Sequence, residues 1–235
     1  MIDIHAHILP SMDDGPSSLD QSLTMALKAS DEGIHTIIAT PHTLNGVYHN
    51  HREHILSECR KLNRALEEKN IPVKVLPGSE ARLSMDITDE LNNNQLMTMN
   101  DAGRYLLLEL PDQFLPQAVT SFIRRLLNRG VTPVIAHPER NPSIQQKVEL
   151  LYDLIQAGAL SQLTSYSITG EFGSSALKCC KKLINQGMVH IIASDAHFPD
   201  KRFPMLSKAY AVISSMAGED TTKKIKETPR MIIGR

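Results

Sequence analysis

Residues 132–140 read TPVIAHPER, and this stretch decides the fold prediction. The run Val131–Ala136 is apolar at most positions and contains several β-branched residues, which is typical of a parallel strand covered by helices on both faces. Directly after it come His137, Glu139 and Arg140, three side chains that can carry charge. The stretch therefore predicts a buried parallel strand whose carboxyl end presents ionisable groups.

Runs of the same kind recur along the chain. They are Ile2–His5, Ile34–Thr40, Val73–Leu76, Tyr105–Leu110, a weaker one at Leu160–Thr164, and Val189–Ala193. Helical patterns separate them, at about Ser18–Asp31, His51–Lys69, Ile87–Asn94, Pro116–Arg129, Ser143–Gln156, Ser174–Gln186 and Pro204–Met216. Strands that alternate with helices at this spacing predict βαβ units and a parallel sheet.

Seven strand–helix units in 235 residues come close to a (β/α)8 barrel in size. An open doubly wound sheet is the alternative, although the G-x-G-x-x-G fingerprint that such a sheet can carry is absent. No linker rich in Ser, Gly or Pro divides the units, so residues 1–235 are predicted to form a single α/β domain.

Composition excludes several classes of protein. The chain has 25 Lys plus Arg against 26 Asp plus Glu, and this balance argues against nucleic acid as the catalytic substrate. Three cysteines without CxxC spacing predict neither a disulfide framework nor a thiolate zinc site, and they suit a reducing, cytoplasmic setting. No stretch approaches the roughly 18 apolar residues of a membrane span, and no signal peptide is expected at the start, so membrane insertion is not predicted.

Metal-ligand residue types stand at or just beyond the carboxyl ends of six of the seven predicted strands. They are His5, His7, His42, Glu80, Glu109, His137, Asp195 and His197. In a closed α/β barrel these strand ends converge on one face, where such enzymes place their sites. His5 and His7 are two residues apart, so both side chains point the same way on an extended segment. The strand Leu160–Thr164 offers no strong ligand.

The pattern as a whole favours a metal site over separate structural roles. Taken alone, His137 could be a core histidine and Asp195 a turn cap, but such explanations would have to hold at six places together. The turn Asp13-Asp14-Gly15 adds carboxylates that can fold over the site. Imidazole and carboxylate ligands without thiolate suit Mn, Fe or Zn, and their number predicts two or three ions. The remaining histidines, with His49, His51 and His54 in a polar segment, are predicted to have no ligand role.

Two arginines follow ligand positions, and they predict a phosphate substrate. Arg140 and Arg202 would lie on the same face as the metal ligands, and guanidinium binds phosphate in a bidentate way. A cysteine-dependent phosphatase is excluded, because that loop needs an arginine six positions after the cysteine. The residues at that spacing from the three cysteines are Ala65, Asn185 and Gln186.

Seven segments resemble the polymerase-and-histidinol-phosphatase (PHP) superfamily and, within it, the bacterial CpsB/CapC-type tyrosine-protein phosphatases. They are MIDIHAHILPSMDDGP, ATPHTLNGVY, LPGSEARL, YLLLELP, TPVIAHPER, ITGEFG and VHIIASDAH. The resemblance covers nearly the whole chain and implies a distorted, TIM-like (β/α)7 barrel with a trinuclear site. Manganese is the metal expected first, with Fe, Zn, Co or Mg as alternatives.

The resemblance also implies a distribution of ligands among three ions. The first would be held by His5, His7, Glu80 and Asp195, the second by Glu80, Glu109 and His137, and the third by Asp14, His42 and His197. Asp13 is the alternative to Asp14 if the register of that turn differs by one residue. Arg140 and Arg202 match the phosphate-binding arginines. Thr43 departs from the histidine found at this position in many relatives, without an expected loss of a ligand.

The activity implied by the resemblance is hydrolysis of phosphotyrosine in proteins by a metal-activated hydroxide. The implied partners are phosphotyrosine proteins, among them a bacterial tyrosine kinase that controls capsule or exopolysaccharide synthesis. Four alternatives stay open: a phosphatase for histidinol phosphate or another small phosphomonoester, a PHP-type nuclease, an amidohydrolase, and a metal-binding module without catalysis. The oligomeric state is not predicted.

Overall fold

The computed structural model describes residues 1–111, 115–116 and 118–234. Its strands are β1 (Ile2–Ala6), β2 (Thr36–Ala39), β3 (His42–Thr43), β4 (Lys74–Pro77), β5 (Glu80–Arg82), β6 (Tyr105–Glu109), β7 (Thr132–Ala136), β8 (Leu160–Thr164) and β9 (Ile191–Ala193). Every predicted apolar run overlaps one of these strands. The two very short strands β3 and β5, which follow β2 and β4, were not predicted.

All strand pairs among the described residues are parallel, and they form two sheets. One sheet has the order β1-β2-β4 and the other has the order β3-β5-β6-β7-β8-β9. An isolated parallel bridge joins Ala6 to Ala196, and the Asp195 amide donates to the His5 carbonyl over 2.8 Å. The prediction of an α/β fold with parallel strands is confirmed, but the described strands do not form one closed sheet.

The helices are α1 (Leu19–Asp31), α2 (Arg52–Glu68), α3 (Ile87–Asn92), α4 (Val119–Asn128), α5 (Pro142–Gln146), α6 (Glu149–Gln156), α7 (Ser165–Thr169), α8 (Gly173–Asn185), α9 (Ser207–Ala217) and α10 (Glu219–Ile232). The helix predicted over 143–156 is two helices, because Lys147 between them is extended. The helix predicted from Pro116 includes Gln117, which lies outside the described residues. No helix in the described part of the chain combines the length and apolarity needed to cross a bilayer.

The core lies between the sheets and the helices. Leu106, Leu107 and Leu108 of β6 are all fully buried, as expected for a strand covered on both faces. The helix α4 buries one stripe, formed by Val119, Phe122, Ile123 and Leu126, at the spacing of a single helix face. Parallel strands packed in this way bring their carboxyl ends to a common edge, and the predicted ligands lie there.

Candidate metal centre

The two histidines of the first strand point to one place. His5 is the fourth of the five buried residues of β1, His7 comes directly after the strand, and the Nε2 atoms of the two rings are 3.3 Å apart. Both side chains are fully buried. The outer nitrogen of each ring faces an acceptor: His5 Nδ1 donates to Gln162 Oε1 over 2.9 Å, and His7 Nδ1 donates to Asp13 Oδ2 over 2.6 Å. In the neutral rings the Nε2 atoms therefore carry lone pairs toward the centre of the cluster.

Glu80, at the start of β5, lies in the middle of four imidazoles. Its Oε2 is 3.4 Å from His5 Nε2, 3.4 Å from His7 Nε2 and 3.0 Å from His42 Nδ1, and its Oε1 accepts from His137 Nε2 over 2.8 Å. A fully buried carboxylate with nitrogens on both oxygens is placed to bridge two ions.

Asp195 connects the imidazoles to the arginines. Its Oδ1 is 3.2 Å from His5 Nε2 and 3.4 Å from His7 Nε2. Its Oδ2 accepts from Arg140 Nη1 over 2.7 Å and from Arg202 Nη2 over 2.6 Å. One carboxylate thus contacts both the predicted metal ligands and the predicted phosphate-binding groups.

The turn after β1 brings a third group together. Asp14 Oδ1 is 3.4 Å from His197 Nε2 and 3.6 Å from His42 Nε2, and the rings of His7 and His197 stack at 3.9 Å. The neighbouring carboxylate of Asp13 is already engaged by His7 and by the His42 backbone amide. Glu109 also belongs to the cluster, because one of its carboxylate oxygens lies within 4.8 Å of a ligand atom of His42 and of Glu80.

All nine residues predicted as metal ligands therefore lie in one cluster. Their ligand atoms form overlapping sets within 4.8 Å, namely His7, Asp14, His42 and His197; His5, His7 and Glu80; His5, His137 and Asp195; and His42, Glu80 and Glu109. Thr43, where the sequence departs from many relatives, is buried in β3 and belongs to none of these sets.

Charge, more than burial, sets the protonation of the central carboxylates. Burial acts to raise the pKa of Glu80, but His5 and His137 outweigh it and hold the pKa well below its ordinary value. Burial is likewise outweighed at Asp195, where Arg140 and His5 hold the pKa well below its ordinary value. Burial lowers the pKa of His137 to about 4, with Arg140 acting in the same direction. Near neutral pH the cluster therefore holds ionised carboxylates beside a neutral His137 imidazole.

The donor set fits divalent cations. In the neutral tautomers, the Nε2 lone pairs of His5 and His7 face carboxylate oxygens of Glu80 and Asp195, so acceptor faces acceptor. Glu80 Oε2 is buried, and none of its neighbours meets hydrogen-bond geometry. Buried polar atoms left in this way cost free energy unless a proton or a cation lies between them. The chemistry of the ligands, nitrogen and oxygen without sulfur, suits Mn, Fe or Zn.

An aromatic ring supports both arginines. Arg140 leaves the short helical turn Pro138–Arg140 after β7, and Arg202 lies in the loop after β9. Their guanidinium carbons lie 5.2 Å and 5.1 Å from the ring centre of Phe172. Both side chains stay partly exposed, and the buried Nε of Arg202 has no hydrogen-bond partner. A cavity of about 220 Å³ lined by Glu109, His137 and Arg140 opens beside Arg140.

Three residues of the site were not singled out by sequence reasoning for the roles that the structure gives them. Gln162 on β8 holds the outer nitrogen of His5, so the strand without a ligand contributes an orienting group instead. Asp13 orients His7, and Phe172 lies under the arginines. Gln162 left one signal, because an uncharged polar residue in a buried strand needs a partner.

The strand ends of this parallel α/β fold carry a buried cluster of imidazoles and carboxylates, and two arginines lie beside it. The fold and the site together define the class of protein, an α/β protein with a candidate polynuclear metal site. Residues 1–233 match the family described as "Capsular polysaccharide synthesis, CpsB/CapC", and the chain belongs to this family.

Its relatives carry names that agree with this assignment. The chain is 39% identical over 233 residues to the tyrosine-protein phosphatase YwqE of Bacillus subtilis, covering 99% of this chain and 91% of that protein. It is 37% identical to the putative tyrosine-protein phosphatase CapC of Staphylococcus aureus, covering 89% and 82%. A crystal structure from work on YwqE of Bacillus subtilis and CpsB of Streptococcus pneumoniae, described there as metal-dependent tyrosine phosphatases, matches with a TM-score of 0.95 and 39% identity, covering 99% of this chain and 94% of that chain.

Proposed function

We propose that this protein is a metal-dependent protein-tyrosine phosphatase that hydrolyses phosphotyrosine in proteins. The observation that carries the proposal is the arrangement around Asp195, whose carboxylate contacts candidate metal ligands on one side and Arg140 and Arg202 on the other. The names of the relatives support the substrate class. The near-neutral overall charge counts against nucleic acid as the substrate.

The proposed ligand assignment uses all nine clustered residues. One ion would be held by His5, His7, Glu80 and Asp195, a second by Glu80, Glu109 and His137, and a third by Asp14, His42 and His197. The choice of Asp14 over Asp13 is supported by the engagement of Asp13 with His7 and with the Gly15 and His42 amides. Manganese is the proposed metal, with Fe, Zn, Co or Mg as alternatives.

The proposed chemistry divides between the ions and the side chains. Divalent ions held by these residues would lower the pKa of a coordinated water to about 7 and would supply positive charge to the phosphate oxygens. Arg140 and Arg202 bind the phosphate oxygens and stabilise the charge on the transferring group. The leaving phenolate has a pKa of about 10 in model compounds, so a strong general acid is not required.

The setting of the reaction is part of the proposal. The name of the family supports a role in capsule or exopolysaccharide synthesis, with a bacterial tyrosine kinase and its substrates as partners. Three buried free thiols support a reducing, cytoplasmic location. We further propose that residues 1–235 are one domain and that its two sheets together correspond to a distorted (β/α)7 barrel, which the bridge from Ala6 to Ala196 supports.

The proposal predicts a specific pattern of substrate and metal dependence. With Mn²⁺ added, the protein should hydrolyse a phosphotyrosyl peptide faster than the matched phosphoseryl peptide or histidinol phosphate. Dialysis against a chelator should remove the activity, and Mn²⁺ should restore it. The measurement is phosphate release by one protein preparation on the three substrates, with metal content determined in parallel.

Two outcomes of that experiment would count against the proposal in different ways. Full activity in metal-free protein would contradict the metal mechanism. A preference for histidinol phosphate would leave the mechanism intact and contradict the substrate assignment.

Phe172 is expected to position the arginines through its ring. Replacing it in the Phe172→Leu variant keeps an apolar side chain but removes two cation–π contacts, each worth about 0.5–1 kcal/mol at partly exposed sites. We expect the KM for the phosphotyrosyl peptide to rise by roughly 5- to 30-fold, with a smaller change in kcat.

The controls separate the ring from general packing. Phe172→Tyr keeps an aromatic face and should retain a KM near the wild-type value, and Tyr152→Leu, at an exposed aromatic on α6, should have no effect. Equal KM values for Phe172→Leu and Phe172→Tyr would rule out the cation–π explanation.

A further inference from the structure

A second group of metal-ligand side chains lies outside the buried cluster. His49 and His51 repeat the H-x-H spacing of His5 and His7, here in the segment between β3 and α2. Their ring centres are 4.4 Å apart, and His49 Nε2 is 3.4 Å from Glu90 Oε1 on α3. One ligand atom from each of the three residues lies within 4.8 Å of the others. The three side chains converge on a volume that one cation can occupy.

The backbone holds these ligands in place from both sides. Next to His51, the side-chain amide of Asn50 donates to the Met12 carbonyl over 2.8 Å and to the His42 carbonyl over 2.9 Å. On the other side, the Arg52 amide donates to the Gln95 carbonyl over 2.9 Å. The segment after α3 is tied back in turn, since the Gln95 amide donates to the Glu90 carbonyl over 2.9 Å. The ligands therefore need little ordering on binding, which favours affinity.

We propose that His49, His51 and Glu90 form a separate, solvent-accessible binding site for a transition-metal cation of the zinc class. Two imidazoles and one carboxylate are a common three-ligand set for zinc, which completes its coordination with water. Sites of imidazole and carboxylate bind Zn²⁺ or Cu²⁺ more tightly than Mn²⁺, so zinc rather than manganese is the cation expected at this exposed site. The proposal does not depend on the phosphatase activity.

A cation bound at this site would link His49 and His51 to Glu90, and would thereby hold the segment between His42 and His51 against α3. That segment also carries Tyr48, whose ring lies parallel to the His42 imidazole at 6.3 Å between ring centres. Asn50 contacts the His42 carbonyl directly. A cation bound at the exposed site would therefore restrain the backbone next to a proposed ligand of the buried centre, which gives it a regulatory position.

Metal counting on the full-length protein tests the site. Manganese-loaded wild type is equilibrated with increasing Zn²⁺, and bound zinc and released manganese are both measured by elemental analysis. We expect wild type to take up one zinc more than the manganese that it releases. The double variant His49→Ala/His51→Ala, and Glu90→Gln alone, should bind this extra zinc at least tenfold more weakly. His54→Ala, which removes an exposed histidine three positions away, should behave like wild type.

A structural readout accompanies the counting. In backbone amide NMR spectra of protein loaded with diamagnetic Mg²⁺ in place of paramagnetic Mn²⁺, zinc should shift the signals of residues 48–51 and 90 in wild type and in His54→Ala. Extra zinc bound with equal affinity by the double variant, or lost equally in His54→Ala, would overturn the proposal. Because all three ligands lie at the surface or partly so, the variants are expected to fold, and unchanged manganese content would verify this independently.

Discussion

The Asp195→Asn variant is expected to lose about 1000-fold or more in the rate of phosphotyrosyl peptide hydrolysis, since each 1.36 kcal/mol of lost transition-state stabilisation is tenfold. The substitution keeps the shape of the side chain but removes its charge. The first proposed ion then loses a carboxylate ligand, and Arg140 and Arg202 lose the negative charge of the group that they contact at 2.7 Å and 2.6 Å. Because the variant affects ions and arginines together, we expect bound metal to fall and the KM to rise as well.

Steady-state kinetics and elemental analysis of the same sample measure these effects. The matched control is Asp153→Asn, at an exposed position on α6, which should leave rate and metal content unchanged. Wild-type rate and metal content in Asp195→Asn would show that the proposed ligand assignment is wrong.

Glu80→Gln is expected to have the larger effect on metal binding. Glu80 contacts four imidazoles and is proposed to be shared by two ions, so a neutral amide in its place removes negative charge from both. Even residues that only orient ligands cost about 10- to 100-fold in metal affinity when changed, so a shared ligand should cost more than about 100-fold. Activity at limiting Mn²⁺ should fall at least in proportion.

Titration with Mn²⁺ distinguishes this loss from a catalytic defect. In Glu80→Gln, saturating Mn²⁺ should recover part of the rate, whereas Asp195→Asn should recover little because Arg140 and Arg202 still lack their carboxylate partner. Glu67→Gln, at an exposed carboxylate of α2, serves as the control. Wild-type affinity for Mn²⁺ in Glu80→Gln would contradict the role of a shared ligand.

Local patterns were sufficient to predict seven of the nine described strands and most helices. Leu106–Leu108 and the run ending at Ala136 are apolar on both faces, and burial on both faces is what a covered parallel strand requires. The short strands β3 and β5 have two and three residues, too few for any periodicity. The helix α10 contains Pro229 and a largely polar sequence, so packing rather than propensity decides its formation. The division of the strands into two sheets could not be predicted, because it depends on pairing between residues far apart in the sequence.

The proposed ligands could be located from sequence because they follow strand ends, whose position in space is set by the fold class. The contacts that orient them could not. Gln162 and Asp13 bind the outer nitrogens of His5 and His7 across 157 and six residues of chain, and such pairings depend on how neighbouring strands are aligned. His49 and His51 were predicted to be surface residues without a ligand role. Glu90 was not singled out, because it lies on α3, some forty residues further along the chain.

Two residues of the candidate metal centre lie in the left-handed region of backbone space, His137 with φ of 32° and Asp195 with φ of 52°. Residues other than glycine held there cost about 1–3 kcal/mol each. Part of the stability supplied by the rest of the fold therefore offsets this strain, which holds the two side chains toward the metal centre. Glycine would relieve this strain at both positions, but it would delete the ligand. Selection for thermostability and selection for function thus oppose each other at these strand ends, and ions that bind only the folded state would offset the cost.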